Sequence, residues 1–357
     1  MLNNKFVVQV LEGPDQANIE SAVRAGEGGL KYVKDKFLSQ EIELGNYAII
    51  MDAADCNLHQ IFNQERPDIN SIRTILQQVF EAVEHLHEKS LMHGDLKLLN
   101  IIRFRLDNRL RLIDRDAAAT TSDFGAKHYT CAKFSSATLP PELWSLVDKE
   151  GVQKLEEYWK DCDSELKAKV DPLEGNQVFY VVKSFRSDDD GNPISHGLPY
   201  DLVEASGAID SWALGVIAFL LLTGESFVPS TRDNDCASGE AAALLHACGI
   251  QLDKVEAQMR KVKNPAGRDL ISKLLQGNTS KRLLVDEEAL KRIFFNPKTR
   301  DADVKLALQK MVESQAKNEQ TWRPSQDRKR HYRAEKLGQG DAGAGPALRG
   351  GVAQGCF

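Results

Sequence analysis

The chain has 357 residues, of which 42% are hydrophobic and 27% are charged, a composition typical of a globular protein. Its net charge of −6 excludes a general basic surface for nucleic acid. The longest apolar stretch, residues 212–224, is shorter than the roughly 20 residues that span a membrane. The six cysteines show no Cys-x-x-Cys pair, which favours reduced thiols. We therefore expect a cytoplasmic protein with no nucleic-acid or membrane partner, and a nuclear location stays open because residues 328–336 are basic.

The first third of the chain alternates short strands with one long helix. Residues 5–11 and 47–51 are short apolar runs typical of strands. Apolar residues spaced by three or four predict a helix over 71–89. Two short strands follow, joined by the turn residues Asp107 and Asn108. These elements predict a small β part followed by a helical part.

The remainder is predicted to be mostly helical, with one irregular insertion. Residues 146–170 predict a charged helix, 177–185 a strand and 187–193 a turn. Residues 212–224 predict a buried core helix. Residues 315–357 lose apolar periodicity and become rich in Gly and Ala, which predicts a disordered tail.

The stretch "LMHGDLKLLNII" contains the chemistry that defines a candidate site. Asp95, Lys97 and Asn100 lie on a predicted tight loop between a helix and a strand. Phosphoryl transfer uses a carboxylate to orient a hydroxyl, a cation at the transferred phosphate, and oxygens for Mg²⁺. A polar turn alone would explain the composition but not the order His-x-Asp-x-Lys-x-x-Asn.

This loop resembles the catalytic loop of the protein kinase family, in a variant with His93-Gly94-Asp95. The resemblance implies ATP and Mg²⁺ as cofactors, with a second aspartate at the end of an apolar strand. Asp114 lies 14 residues after Asn100 and follows such a strand, whereas the Asp-Phe-Gly that begins at Asp123 does not. We therefore expect Asp114, and not Asp123, to bind the metal.

The resemblance assigns a role to each residue of the loop. Asp95 would be the base or would orient the hydroxyl, and Lys97 would contact the γ-phosphate. Asn100 and Asp114 would bind Mg²⁺. His93 would have a structural role within the loop.

Later motifs resemble the same family in the same order. "LPPELW" resembles the Ala-Pro-Glu element, with Glu142 as its acid, and Ser135 precedes it at the substrate platform. "DSWALGV" resembles the central helix, whose Asp210 would accept amides of the catalytic loop. Arg282 would pair with Glu142, and such a buried pair is costly to break from one side.

The resemblance covers about residues 1–310 and implies an α+β, protein-kinase-like fold. Residues 1–58 would be a partial N-lobe and hinge, in which the backbone of Asp52 and Ala54 faces adenine. Residues 59–310 would be a helical C-lobe with an insertion at about 146–199, where a partner could bind or which could be a decorated surface loop. The substrates implied are Ser and Thr of proteins.

Several family features are not found in this sequence. The Gly-rich loop and the strand lysine are not recognised, and the segment 5–11 reads as the fourth strand, or as the third with Gln9 at the lysine position. We expect a truncated N-lobe. Gly94 replaces the usual arginine, which argues against phosphate-gated activation, and Arg115-Asp116 replaces Phe-Gly.

Three functions therefore stay open. The first is a Ser/Thr protein kinase, which would be impaired in this chain alone if the Gly-rich loop and the strand lysine are absent. The second is a pseudokinase, a binding or scaffold module without turnover. The third is a small-molecule phosphotransferase of the aminoglycoside or choline kinase type, which shares the His-Gly-Asp opening but is disfavoured by Lys97.

Overall fold

The computed structural model describes residues 2–8, 52–121, 128–176 and 178–296. Most of the predicted small β part, Asp123 and the predicted tail lie outside the described residues. The described chain combines helices with several small sheets, as expected for an α+β protein.

The described α-helices are α1 Leu58–Glu65, α2 Ile69–His87, α3 Lys149–Trp159, α4 Ser164–Val170, α5 Gly207–Thr223, α6 Gly239–Cys248, α7 Leu252–Met259, α8 Pro265–Leu274 and α9 Glu287–Leu290. The described strands are β1 Cys56–Asn57, β2 Leu91–Met92, β3 Ile101–Phe104, β4 Arg109–Leu112, β5 Ala119–Thr120, β6 Trp144–Val147, β7 Leu173–Gly175, β8 Val178–Val182, β9 Arg186–Ser187 and β10 Pro193–Ile194. Short 3₁₀ turns cover Leu98–Asn100, Ser136–Thr138, Pro141–Leu143 and Thr279–Lys281.

Two helices form the centre of the core. Helix α2 begins after Asp68, whose side chain accepts a hydrogen bond from the Ser71 amide at 2.8 Å, and it buries the apolar face that the sequence predicts. Helix α5 is buried nearly all round, as the apolar stretch 212–224 predicts, and it ends at Gly224 with φ 77°. Among the described residues, no helix has both the length and the apolar character to cross a membrane.

The hairpin β3–β4 is the element that positions the candidate site. Its strands pair antiparallel, with Ile101 opposite Leu112, and Asn108 turns between them with φ 53°. A positive φ is tolerated by Asn better than by most residues. The third strand of the sheet is β1. Val7 forms a parallel bridge with Leu112, so the first described segment packs beside the same hairpin.

The prediction of one helix over 146–170 is wrong. Residues Trp144–Val147 form β6, which pairs with β8 at the edge of a sheet in the order β6-β8-β7. Two helices follow, because Asp148 and Asp163 each accept a hydrogen bond from the first turn that follows and so begin α3 and α4 separately. Propensity favoured helix here, but strand pairing with β8 determines the outcome.

Candidate active site

One buried carboxylate, that of Asp210, holds the loop that follows α2. Asp210 accepts hydrogen bonds from the backbone amides of His93, at 2.8 Å, and Gly94, at 3.0 Å. The ring of His87 lies 3.0 Å from the same carboxylate. Burial alone would raise the pKa of Asp210, but the contact with His87 and the loop amides outweighs it, so the pKa lies below its usual value. The loop therefore rests on a fixed negative charge supplied by helix α5.

Gly94 is required by its geometry. It has φ 80°, and a Cβ built there would lie 2.3 Å from the carbonyl oxygen of Ala117. That distance is well inside van der Waals contact. The segment after β4 thus crosses directly over Gly94, and the arginine usual at this position in the family could not occupy it with this backbone.

The structure brings Asp95, Lys97 and Asn100 together. Lys97 Nζ donates to Asp95 Oδ2 at 2.9 Å and to Ser135 Oγ at 2.9 Å. Asn100 Nδ2 donates to the Asp95 carbonyl oxygen at 2.9 Å. The lysine therefore connects the loop to the segment that carries Ser135. His93 fixes the other side of the loop through its ring, 3.0 Å from the Ile113 carbonyl oxygen.

The carboxylate of Asp95 is buried but incompletely paired. Its side chain is only 3% exposed, and its Oδ1 has no hydrogen-bond partner in the described chain. Burial would raise the pKa of Asp95, but hydrogen bonds from Lys97 and Ser135 outweigh it and hold the pKa below its usual value. A buried polar atom without a partner is costly. Asp95 thus has an ionised carboxylate with one buried oxygen that has no donor in the described chain.

Asp114 lies beside Asn100 because of the hairpin ladder. The Ile113 amide donates to the Asn100 carbonyl oxygen at 3.0 Å, and Asp114 follows with φ 57°. Its carboxylate is one-third exposed and lies 3.4 Å from Lys133 Nζ, which also contacts Asp116 at 2.8 Å. The sequence offered no signal for Lys133 beyond its position two residues before Ser135.

Magnesium fits the oxygen chemistry of these residues. Mg²⁺ prefers carboxylate and amide oxygens, which Asp114 and Asn100 supply, and completes its shell with water and substrate phosphates. Within the described ranges, no group of three or more His, Cys, Asp or Glu side chains could hold a metal by itself. A metal held by Asp114 and Asn100 alone would therefore bind weakly, and phosphate oxygens would complete its shell.

A buried ion pair supports the platform beside the loop. Arg282 Nη1 and Nη2 donate to Glu142 Oε1 and Oε2 at 2.7 and 2.9 Å. The Arg282 side chain is fully buried and also donates to the carbonyl oxygens of Ala208 and Gln276. The pair joins the 3₁₀ turn at Pro141–Leu143 to helix α5. This geometry positions the residues around Ser135.

The segment 128–131 is held by neighbours that sequence patterns did not reveal. The Thr130 amide donates to Val203 at 3.1 Å, and the Ala205 amide donates to His128 at 2.8 Å. Ser184 Oγ, at the end of the insertion sheet, donates to the Cys131 carbonyl oxygen at 2.7 Å. The insertion therefore contacts the chain just before Ser135.

The predicted adenine-facing residues lie at the edge of what the structure describes. Asp52 and Ala54 are exposed, and the next residue, Asp55, donates its amide to the Arg103 carbonyl oxygen at 2.9 Å. The predicted strand 47–51 lies outside the described residues, as does Asp123. Their contact with adenine stays a prediction.

Known proteins are similar to parts of this chain. The protein kinase domain matches residues 36–159. A probable serine/threonine-protein kinase of Dictyostelium discoideum is 22% identical over 284 residues, covering 75% of this chain and 52% of that protein. The hormonally up-regulated neu tumor-associated kinase of Mus musculus is 39% identical over 57 residues, 16% of this chain and 8% of that protein.

A third relative, also named as a kinase, is similar to this chain over a short segment. The sporulation protein kinase mde3 of Schizosaccharomyces pombe is 34% identical over 64 residues, 17% of this chain and 11% of that protein. The chain thus spans a small part of two of these relatives and about half of the third. Together with the loop motif, the match of the protein kinase domain to residues 36–159 and these similarities support a protein kinase family for this chain.

Proposed function

We propose that this chain transfers the γ-phosphoryl group of ATP to Ser or Thr hydroxyls of proteins, with Mg²⁺. The observation that carries the proposal is the pair formed by Asp95 and Lys97 against Ser135. It combines a buried, ionised carboxylate that has an unpartnered oxygen with a cation 2.9 Å away. Few polar turns would maintain such a costly arrangement without a ligand.

Each residue has a defined task in this proposal. Asp95 Oδ1 accepts the hydrogen bond of the acceptor hydroxyl and then its proton. The new bond forms between the oxygen of the acceptor hydroxyl and the γ-phosphorus, while the bond between that phosphorus and the bridging oxygen of ADP breaks. Because its pKa is lowered, Asp95 is a weak base, and its main effect is to orient the hydroxyl. Lys97 offsets negative charge on the transferred group.

Magnesium, when bound, neutralises charge on the phosphates and orients them. Asn100 and Asp114 would hold it. The donor set of one amide and one carboxylate supports this assignment, since the remaining ligands are phosphate oxygens and water. The backbone of Asp52 and Ala54 would hold the adenine.

A binding module without turnover is the second candidate. The contact of Lys133 with Asp114 and Asp116 favours it, because a protein cation already neutralises the carboxylate that the metal needs. A small-molecule phosphotransferase is less well supported. The Glu142–Arg282 pair and the Lys97–Ser135 contact accompany the family's protein-substrate platform.

The test measures transfer from radiolabelled ATP to mixtures of Ser-, Thr- and Tyr-containing peptides, and in parallel to choline and an aminoglycoside. Asp95→Asn is expected to lower the rate at least about a hundredfold, as expected for loss of a group that orients a proton. Asp190→Asn, at an exposed hairpin turn in the insertion, is the matched control and should be unchanged.

Three outcomes separate the candidates. Peptide transfer that disappears with Asp95→Asn supports the kinase. Binding of Mg-ATP in a thermal shift assay, with no transfer to any acceptor, supports the module without turnover. Transfer to choline or the aminoglycoside alone would contradict the proposal in favour of the small-molecule enzyme.

A further inference from the structure

A second lysine, Lys133, reaches the candidate active site from the segment just before Ser135. Lys133 Nζ lies 2.8 Å from Asp116 Oδ2 and 3.4 Å from Asp114 Oδ1. Its side chain is 46% exposed, and that of Asp114 is 34% exposed. The contact is therefore open to water and to ligands. An open ion pair of this kind can exchange partners at little cost.

The position of Lys133 is fixed by its neighbours in the chain. Phe134 is buried, at 1% exposure, and Ser135 accepts the hydrogen bond from Lys97. The two lysines are thereby linked through Phe134 and Ser135. Lys97 contacts Asp95, and Lys133 contacts Asp114. Each carboxylate that the proposed reaction uses is paired with a different lysine.

The two pairs differ in a way that decides their behaviour. The Lys97–Asp95 pair is 16% and 3% exposed, so it is shielded from water and stays formed. The Lys133–Asp114 pair is solvated, so a divalent cation can compete with it for the carboxylate. A displaced Lys133 would stay near Asp116 and within reach of anionic groups brought in beside Asp114.

We propose that Lys133 is an exchangeable counter-ion of this site: it neutralises Asp114 when no metal is bound, and it binds the nucleotide phosphates once magnesium takes that carboxylate. The inference rests on the proposed function for its second half. In this proposal the residue that binds phosphate is Lys133, which lies two residues before Ser135 and not on the predicted small β part. It also implies that Lys133 raises the metal concentration that the site requires.

The test uses the full chain and two binding measurements that need no turnover. The first is Mn²⁺ affinity without nucleotide, from the free-ion signal in electron paramagnetic resonance. The second is the affinity for a fluorescent trinitrophenyl-ATP at saturating Mg²⁺. Lys133→Met should tighten Mn²⁺ binding about fivefold, because the competing cation is lost, and should weaken binding of the magnesium–nucleotide complex by a similar factor, because a phosphate-binding cation is lost.

Matched variants separate this effect from general damage. Lys133→Arg keeps the charge and should resemble the wild type in both assays. Lys154→Met removes a lysine from an exposed pair with Glu150, far along the chain, and should change neither. In an Asp114→Asn background, Lys133→Met should no longer tighten Mn²⁺ binding, because the carboxylate for which they compete is absent.

The opposite signs of the two shifts make the inference testable. Unchanged or weaker Mn²⁺ binding in Lys133→Met overturns it, and so does equal nucleotide binding when the wild type binds nucleotide well. A wild type that binds no nucleotide, with or without metal, contradicts the proposed function and the phosphate half of the inference. The Mn²⁺ shift still decides the counter-ion half in that case.

Discussion

Replacing Gly94 by alanine tests whether the segment after β4 is locked over the catalytic loop. Two costs add at this position. A residue with a side chain at φ 80° costs about 1–2 kcal/mol in backbone strain. The new Cβ would lie 2.3 Å from the Ala117 carbonyl oxygen, so the backbone must shift by roughly 1 Å. Such overpacking costs about 1–3 kcal/mol more. Gly94→Ala should therefore destabilise the protein by about 2–5 kcal/mol.

Gly224→Ala is the matched control. Gly224 has φ 77° at the end of α5, and a Cβ there would have no neighbour within 4 Å. It should show the strain alone, about 1–2 kcal/mol. Urea unfolding followed by tryptophan fluorescence gives both free energies. Equal losses in the two variants would refute the close approach of the Ala117 carbonyl to Gly94.

Two further changes address the buried charges. Arg282→Met leaves Glu142 without its partner and should lower the free energy of unfolding, measured by urea titration, by about 3 kcal/mol. Lys261→Met breaks an exposed pair with Glu225 and should lower it by less than about 1 kcal/mol. Similar losses in the two variants would contradict the burial of the Arg282–Glu142 pair. Asp95 has a lowered pKa, so its ionised form contributes stability above the pKa of the unfolded chain, and that contribution is lost as the pH falls through the folded pKa. The stability difference between wild type and Asp95→Asn should shrink as the pH falls from about 5 through the lowered folded-state pKa, and a constant difference would contradict the assignment.

Local patterns predicted the parts of the site that neighbouring residues build. The hairpin that carries Asp114 follows from alternating apolar residues and the Asp107-Asn108 turn, and the structure places its strands at Ile101–Phe104 and Arg109–Leu112. Helix α2 follows from its apolar spacing within two residues at each end. The motif spacing also placed Asp114 next to Asn100, because a short hairpin fixes the register.

Contacts between distant segments were not predictable in the same way. His87 meets Asp210 across 123 residues, and Ser184 meets Cys131 across 53. Nothing in the residues around His87 distinguishes it from a surface histidine of a helix end. The sequence did not predict strand β6 for the same reason, because its partner β8 lies about thirty residues further along the chain. In all three cases the partner lies far along the chain, and in β6 the pairing also overrides local helix propensity.

Gly94 and the contacts of the insertion both bear on how the segment that leads to Ser135 is ordered. In the family, an arginine at this position binds a phosphate that orders the segment leading to the platform. Here the backbone crossing over Gly94 occupies that space. The segment is ordered by neutral hydrogen bonds to Val203 and Ser184, and Tyr200 donates to the Ser184 carbonyl oxygen at 2.8 Å. These contacts join neutral groups, and we keep the prediction that residues 128–131 hold their position without a bound phosphate.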